Sequence, residues 1–335
     1  MTRRSPSLPA KLVLGVTFAA ALIGLAEVGA RLSGIQPAYQ PDAMGRWQTQ
    51  PSLSAHRMTG LREPHDFEVT TNTHGLRTGH PIDAADDERR VAVMGDSTVF
   101  GWGVEDTESI AAAAEASLSD LGRTDLKVIN AGQPGYSTAM AGWLFEGAVA
   151  QYRPDLTIVF VSMHDFNRTL ISDVERHLGP QGLSAQLRAL LVRHVRLYAL
   201  LRKQIYPLAH EAQLLPDRVS KEARVPRVSD PERFRVLARM QAIADDWGGK
   251  VTVGFLPFHR DLMGGAVSDR PGLTQAQSWS ESNTVPVVDL RTCCGPGADA
   301  RTFPFDRGHL NALGNQEVGQ SLAQFLVEHL PTQVP

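Results

Sequence analysis

Ser97 ends the chemically suggestive part of V-A-V-M-G-D-S-T (residues 91–98), an apolar run that turns sharply through Gly-Asp-Ser into a segment that reads as helix. Near the other end of the chain, Asp306 and His309 stand three residues apart in F-D-R-G-H-L-N-A-L-G (residues 305–314). A serine hydroxyl is a weak nucleophile at neutral pH and needs a base beside it. An imidazole can take its proton and later return it to a leaving alcohol. A carboxylate can hold that imidazole in one tautomer and stabilise the imidazolium. Ser97, Asp306 and His309 thus supply the three parts of a nucleophilic triad in the chain order Ser, Asp, His. Ser97 also lies in a strand-to-helix turn, where outward backbone N–H groups favour a developing negative charge. A second donor is expected from N-A-G-Q-P-G-Y-S-T (residues 130–138), where Gly132 permits close backbone approach to an oxyanion.

These residues must be positioned by a scaffold, and the pattern around them alternates. Short apolar runs at Val91–Met94, Leu126–Asn130, Leu156–Ser162, Val251–Leu256 and Val285–Leu290 read as strands buried on both faces of a parallel sheet. Helical stretches at Glu105–Leu121, Ala139–Tyr152, Pro231–Trp247 and Ala312–His329 separate or follow them. About five strands with intervening helices predict a doubly wound three-layer α/β sandwich. Ligands in such sheets bind at the carboxyl ends of the strands. Ser97, Gly132 and His164 fall just past strand ends, and the Asp306/His309 loop follows the last strand, so all converge on one edge.

G-D-S-T-V-F-G-W-G-V, N-A-G-Q-P-G-Y-S-T and D-R-G-H-L-N-A-L-G, in that order, resemble three blocks of the SGNH/GDSL hydrolase superfamily. T-N-T-H-G-L-R ahead of the first strand, with an apolar amino-terminal segment, is similar to its membrane-anchored bacterial members. The resemblance implies a flavodoxin-like fold and ester hydrolysis without metal or other cofactor. It also implies Ser97 as nucleophile, the Ser97 and Gly132 amides as oxyanion donors, and Asp306 and His309 completing the triad. One block departs from the family. Where Gly-x-Asn-Asp is usual, the chain has Ser162-Met163-His164-Asp165, so His164 stands at the place of the Asn whose side chain is the third oxyanion donor. A histidine can donate through a ring N–H; alternatively Asn167 substitutes for it, or the hole lacks one donor. Asp96, Trp102 and Asp165 are candidate substrate contacts, with Asp165 also able to fix the turn near Ser97. Met163 and Phe166 could shape an acyl pocket. His74, His210 and His259 read as surface or structural residues, although His259 follows the fourth strand and could line the cleft.

The rest of the sequence sets the setting. The chain has 335 residues, 42% hydrophobic and 21% charged, with a net charge of −3 and a pI near 6.4. That balance is ordinary for a globular protein and gives no support to a nucleic-acid partner. The two cysteines, Cys293 and Cys294, are adjacent; they provide neither a disulfide framework nor a zinc set, and two free thiols fit better than a strained vicinal disulfide. Arg3, Arg4 and Lys11 precede an apolar run from Leu12 to Ala26, a positive flank followed by a signal-like core. Residues 1–32 are expected to be a signal anchor with the remainder exported, or a cleaved signal ending at Val28-Gly29-Ala30. Residues 33–80 read as a juxtamembrane linker and short strand, and residues 81–330 as the hydrolase domain with a helical insertion at 168–230. Within that insertion Leu183–Ile205 is amphipathic, with leucines on one face and arginines gathered away from it; it reads as a lid or packing helix, with a membrane-surface helix as the competing reading.

The expected protein is an extracytoplasmic esterase of the bacterial inner membrane, cleaving an O-acyl ester, O-acetyl above all, of a polysaccharide or glycoconjugate. The partners are the acylated glycan or small ester substrate, the membrane through the amino-terminal helix, and an integral-membrane acyltransferase if the reaction is instead transfer to a sugar hydroxyl. A non-catalytic glycan-binding or assembly protein and a lipid esterase are the remaining alternatives.

Overall fold

The computed structural model describes residues 7–33, 37–41, 47–59, 66–83, 88–178, 183–201, 225–257, 273–295 and 308–331. The helices are α1 (Leu8–Leu32), α2 (Ser97–Phe100), α3 (Ile110–Asp120), α4 (Thr138–Gly147), α5 (Asp173–Leu178), α6 (Leu183–His194), α7 (Asp230–Ala244), α8 (Leu273–Asn283) and α9 (Ala312–His329). The strands are β1 (Tyr39–Pro41), β2 (Trp47–Thr49), β3 (His56–Thr59), β4 (Asp66–Val69), β5 (Arg89–Gly95), β6 (Leu126–Gly132), β7 (Leu156–Phe160), β8 (Arg168–Thr169), β9 (Val225–Pro226), β10 (Lys250–Phe255) and β11 (Val288–Asp289). The chain divides into two compact units, Met1–Gln48 with Gln181–Arg218, and Thr49–Pro180 with Val219–Pro335.

The larger unit is built on a five-stranded sheet in the order β11-β10-β7-β5-β6, and every pairing in it is parallel. This is the doubly wound arrangement predicted from the alternation. Because β6 lies on one side of β5 and β7 on the other, chain direction across the sheet reverses at β5, and the crevice outside that reversal is where such sheets bind ligands. The strands are apolar on both faces for a reason visible in β5. Val91 and Val93 join one core with Leu118 of α3 and Val318, Leu322 and Leu326 of α9. Ala92 and Met94 join the other with Leu144 of α4 and Leu237 and Met240 of α7. The sheet is therefore covered on both sides.

Two helices lie close enough to need glycine. A Cβ on Gly319 of α9 would stand 2.6 Å from the Ala113 Cβ and 2.7 Å from the Ala114 backbone nitrogen of α3. The resulting tight α3–α9 contact fixes the helix that directly follows His309. Cys293 and Cys294 are free thiols, with their sulfurs 3.2 Å apart.

In the smaller unit α1 is apolar apart from Lys11, Glu27 and Arg31, and its segment Lys11–Leu32 is long and apolar enough to cross a membrane. The amphipathic run expected to be one helix over Leu183–Ile205 is divided: α6 ends at His194, Val195 is non-helical, and helix resumes over 196–201.

Candidate active site

The turn after β5 is held by its own aspartate. Asp96 caps α2, its Oδ1 accepting from the Thr98 N–H at 2.9 Å, and its carbonyl accepts from the Phe100 N–H at 3.0 Å. Gly101 ends this single helical turn at φ +82°, a left-handed conformation that glycine adopts without steric penalty. Ser97 is thereby fixed as the first residue of α2, half-buried, and its N–H has no acceptor among the described residues.

The loop ahead of α9 brings His309 to it. His309 Nε2 lies 2.8 Å from Ser97 Oγ, within hydrogen-bonding distance and suited to taking the hydroxyl proton. Thr98 Oγ1 donates to the Gly308 carbonyl at 3.3 Å, and Asn311 caps α9 by accepting from the Gly314 N–H at 2.9 Å. These two contacts pin the imidazole from both sides along the chain. Trp102 stands beside it, with ring centroids 6.4 Å apart, and meets Phe67 edge-on at 5.3 Å. Asp306 lies outside the described residues, as do His210 and His259; His74 packs against Tyr152.

The third contribution comes from the end of β7. Ser162 Oγ donates to Asp96 Oδ2 at 2.7 Å and accepts from the His164 N–H at 3.0 Å. This serine stitches the two strand ends at the sheet's reversal point. Asn167 Nδ2 lies 3.1 Å from His164 Nδ1. An amide nitrogen can only donate, so Nδ1 is the acceptor and the ring proton sits on Nε2. Burial pushes the His164 imidazolium below the ordinary histidine range; Arg227 and His309 add to that effect, while Asp96 and Asp165 oppose it. Burial thus favours the neutral ring, and the Asn167 contact at Nδ1 suits the tautomer with its N–H on Nε2.

Two sequence expectations change. Gly132 does not have a free amide: its N–H donates to Asn130 Oδ1 at 3.0 Å. The glycine answers a packing demand, because a Cβ there would stand 2.2 Å from the Phe100 backbone nitrogen. Asp96 holds the turn through Oδ1 and the end of β7 through Oδ2. Asp165 is not a substrate contact. It is fully buried, accepting from the Thr138 N–H at 2.7 Å, Thr138 Oγ1 at 2.6 Å and Arg233 Nε at 3.0 Å. It ties the β7 turn to α4 and α7. Burial pushes its carboxyl up, against the pull of Arg233 and Thr138.

Other residues of this region escaped sequence reasoning. Gly135, at φ +79°, follows Pro134 in a turn closed by the Tyr136 N–H to the Gln133 carbonyl at 3.1 Å. Pro-Gly at the centre of such a turn is a readable signal. The Gly135 N–H has no acceptor among the described residues, while its carbonyl accepts from Arg227 Nη1 at 2.9 Å. Arg227 also binds Asp173 Oδ2 at 2.8 Å, which in turn accepts from Ser137 Oγ at 2.7 Å. No local pattern marked Arg227, because its partners are remote in sequence. Met163 and Phe166 flank His164 and are exposed, as are Leu170 and Ile171. A separate cavity of about 640 Å³ is lined by Arg77, His80, Asp106, Glu115 and Arg123 and holds none of these residues. Most of its charged groups are paired: Arg77 with Asp106, His80 with Glu115 and Arg123 with Asp125.

The sequence profile described as GDSL-like Lipase/Acylhydrolase family matches residues 93–317, about two thirds of the chain. Among solved structures, the chain is similar to the lipase/acylhydrolase from Enterococcus faecalis, at 16% identity and TM-score 0.41, covering 74% of this chain and all of that one. It is also similar to the psychrotrophic esterase EstA from Pseudoalteromonas sp. (10% identity, TM-score 0.43, 72% and 98% covered) and the acetyl xylan esterase AlAXEase (14%, 0.40, 70% and 98%). No curated protein matches it in sequence. The chain belongs to the GDSL-like lipase/acylhydrolase family, whose chemistry is ester-bond hydrolysis.

Proposed function

We propose that the protein is a serine esterase that works outside the cytoplasm, anchored by α1, and removes an O-acyl group, an O-acetyl above all, from a polysaccharide or glycoconjugate. The observation that carries the catalytic part is the 2.8 Å contact between Ser97 Oγ and His309 Nε2 at the sheet's reversal point. Ser97 Oγ attacks the ester carbonyl as its proton passes to His309 Nε2, with Asp306 orienting the ring. The tetrahedral oxyanion is met by the Ser97 N–H and by the His164 Nε2–H. In the β6–α4 loop the Gly132 N–H is engaged by Asn130, and the Gly135 N–H is a further donor without an acceptor among the described residues. Collapse expels the alcohol, protonated by His309. Water, deprotonated by the same imidazole, then releases the acid and restores the serine.

Exposed Met163 and Phe166, flanking His164 in the chain, offer an apolar surface for the acyl side. The extracytoplasmic setting rests on the apolar α1 and on Arg3, Arg4 and Lys11 ahead of its apolar core. The test is intact-mass labelling of the full chain with a fluorophosphonate, beside Ser97→Ala and His309→Ala. One adduct in the parent and none in either variant supports an activated serine and leads to assays on O-acetylated glycans with and without a sugar acceptor. No adduct in folded parent protein overturns the catalytic reading.

A further inference from the structure

α1 carries a carboxylate where an apolar span should not. The helix is 25 residues long, and at about 1.5 Å per residue it measures about 37 Å. Centred in a hydrocarbon layer about 30 Å thick, it leaves Glu27 about 10 Å from the mid-plane, short of the boundary. An ionised group at that depth needs donors that are not water. The donors present are Arg31 Nε at 2.7 Å, the Arg196 N–H at 2.9 Å and the Leu197 N–H at 2.8 Å. Two of the three belong to the insertion, at the point where its helix restarts after Val195. Arg31 Nη2 adds a bond to the His194 carbonyl at 2.6 Å, closing α6. The insertion is thus bonded to α1 within its apolar length.

The other face of the insertion is apolar and uncovered. Val192 and Ala199 are buried, while Leu187 and Leu190 are each 57% exposed and Leu201 43% exposed. Leu187 and Leu190 share a face at i, i+3 spacing. They lie about 10 Å and 6 Å along α6 from His194, whose carbonyl accepts from Arg31. The same unit exposes the apolar side chains of α1, among them Leu22, Ile23, Leu25 and Val28. Exposed apolar side chains thus stand both on the carboxyl half of α1 and on the insertion bonded to it.

We propose that the insertion segment 183–201 is a second membrane element, seated in the acyl-chain boundary of the bilayer against α1, with Glu27 as the group that docks it there. This inference rests on the reading of α1 as a membrane span, and its occupant is the lipid surface. The division of the amphipathic run at Val195 follows: Glu27 accepts from the first amides of the new helix and fixes where it starts.

The experiment uses the full chain in phosphatidylcholine/phosphatidylglycerol vesicles, in a Cys293→Ser, Cys294→Ala background. An environment-sensitive NBD label is placed singly through Phe18→Cys, Leu187→Cys or Leu190→Cys, all exposed positions. Quenching is read with lipids carrying a nitroxide near the headgroup or near the chain end. The labels at 187 and 190 are expected to show blue-shifted emission and strong loss of intensity with the headgroup-proximal nitroxide. The label at 18 is expected to lose intensity with the chain-end nitroxide. Adding Glu27→Ala is expected to weaken quenching at 187 and 190 and leave position 18 unchanged. Quenching at 18 with emission at 187 and 190 equal to free label overturns the inference and leaves the anchor standing. Absence of quenching at 18 overturns the anchor reading and the inference with it.

Discussion

Replacing His164 by alanine removes the N–H that the proposed mechanism sets against a charge existing only in the transition state. Loss of one such donor costs about 10²–10³ in kcat, or about 2.7–4 kcal/mol, with little change in KM. His164→Asn restores a side-chain amide donor and is expected to recover most of that loss. Asn167→Ala leaves the imidazole in place but removes the hydrogen bond to Nδ1 that assigns the proton to Nε2. One net hydrogen bond of about 0.5–1.5 kcal/mol corresponds to roughly a 2- to 13-fold fall in kcat. The assay is kcat and KM on an activated acetyl ester, normalised by fluorophosphonate titration of active serine and accompanied by thermal melts. The ordering parent, Asn167→Ala, His164→Ala in falling kcat is the expected result. A His164→Ala protein that melts normally and retains parental kcat refutes the oxyanion assignment. A fall equal to that of His164→Ala in Asn167→Ala would show that the contact governs the loop rather than the tautomer.

His164 should titrate below its ordinary value of about 6.5, because burial disfavours its charged form. Its contribution to stability is then present above about pH 6.5 and is lost as pH falls through the lower folded-state value; an NMR midpoint at or above 6.5 contradicts this. Gly132→Ala forces a Cβ onto the backbone of α2, which cannot yield as a side-chain tip would, so a loss of about 3 kcal/mol is expected. Gly135→Ala meets open space and carries only the left-handed cost of about 1–2 kcal/mol; equal melting points for the two variants would contradict the packing role of Gly132. Asp165→Asn leaves the buried Arg233 guanidinium without its buried anion. The expected loss is about 3–5 kcal/mol, or roughly 6–20 °C in Tm for a unit of this size, and an unchanged Tm would show that the pair contributes no net stability.

Much of this arrangement was legible because the elements that hold the site announce themselves locally. An apolar run broken by Gly-Asp-Ser predicts a strand, a turn and an exposed hydroxyl, and Asp96 capping Thr98 is a contact between neighbours. The parallel order of the sheet followed from strands alternating with helices. What stayed illegible depends on which polar groups the fold pairs. Gly132 and Gly135 look equivalent in one loop; only the fold of Asn130 back onto Gly132 shows whose amide is spent. Asp165 reads as a substrate contact beside His164 until Arg233, 68 residues later, is found against it. The amphipathic period of Leu183–Ile205 runs unbroken across Val195, because periodicity reports which face is apolar and not where a helix must restart. The restart is set by Glu27, 169 residues earlier. In each case the side chain that decides the outcome is a hydrogen-bonding group whose partner only the folded chain reveals. Apolar pattern predicts where elements lie; the buried polar pairings decide which of their atoms remain available for chemistry.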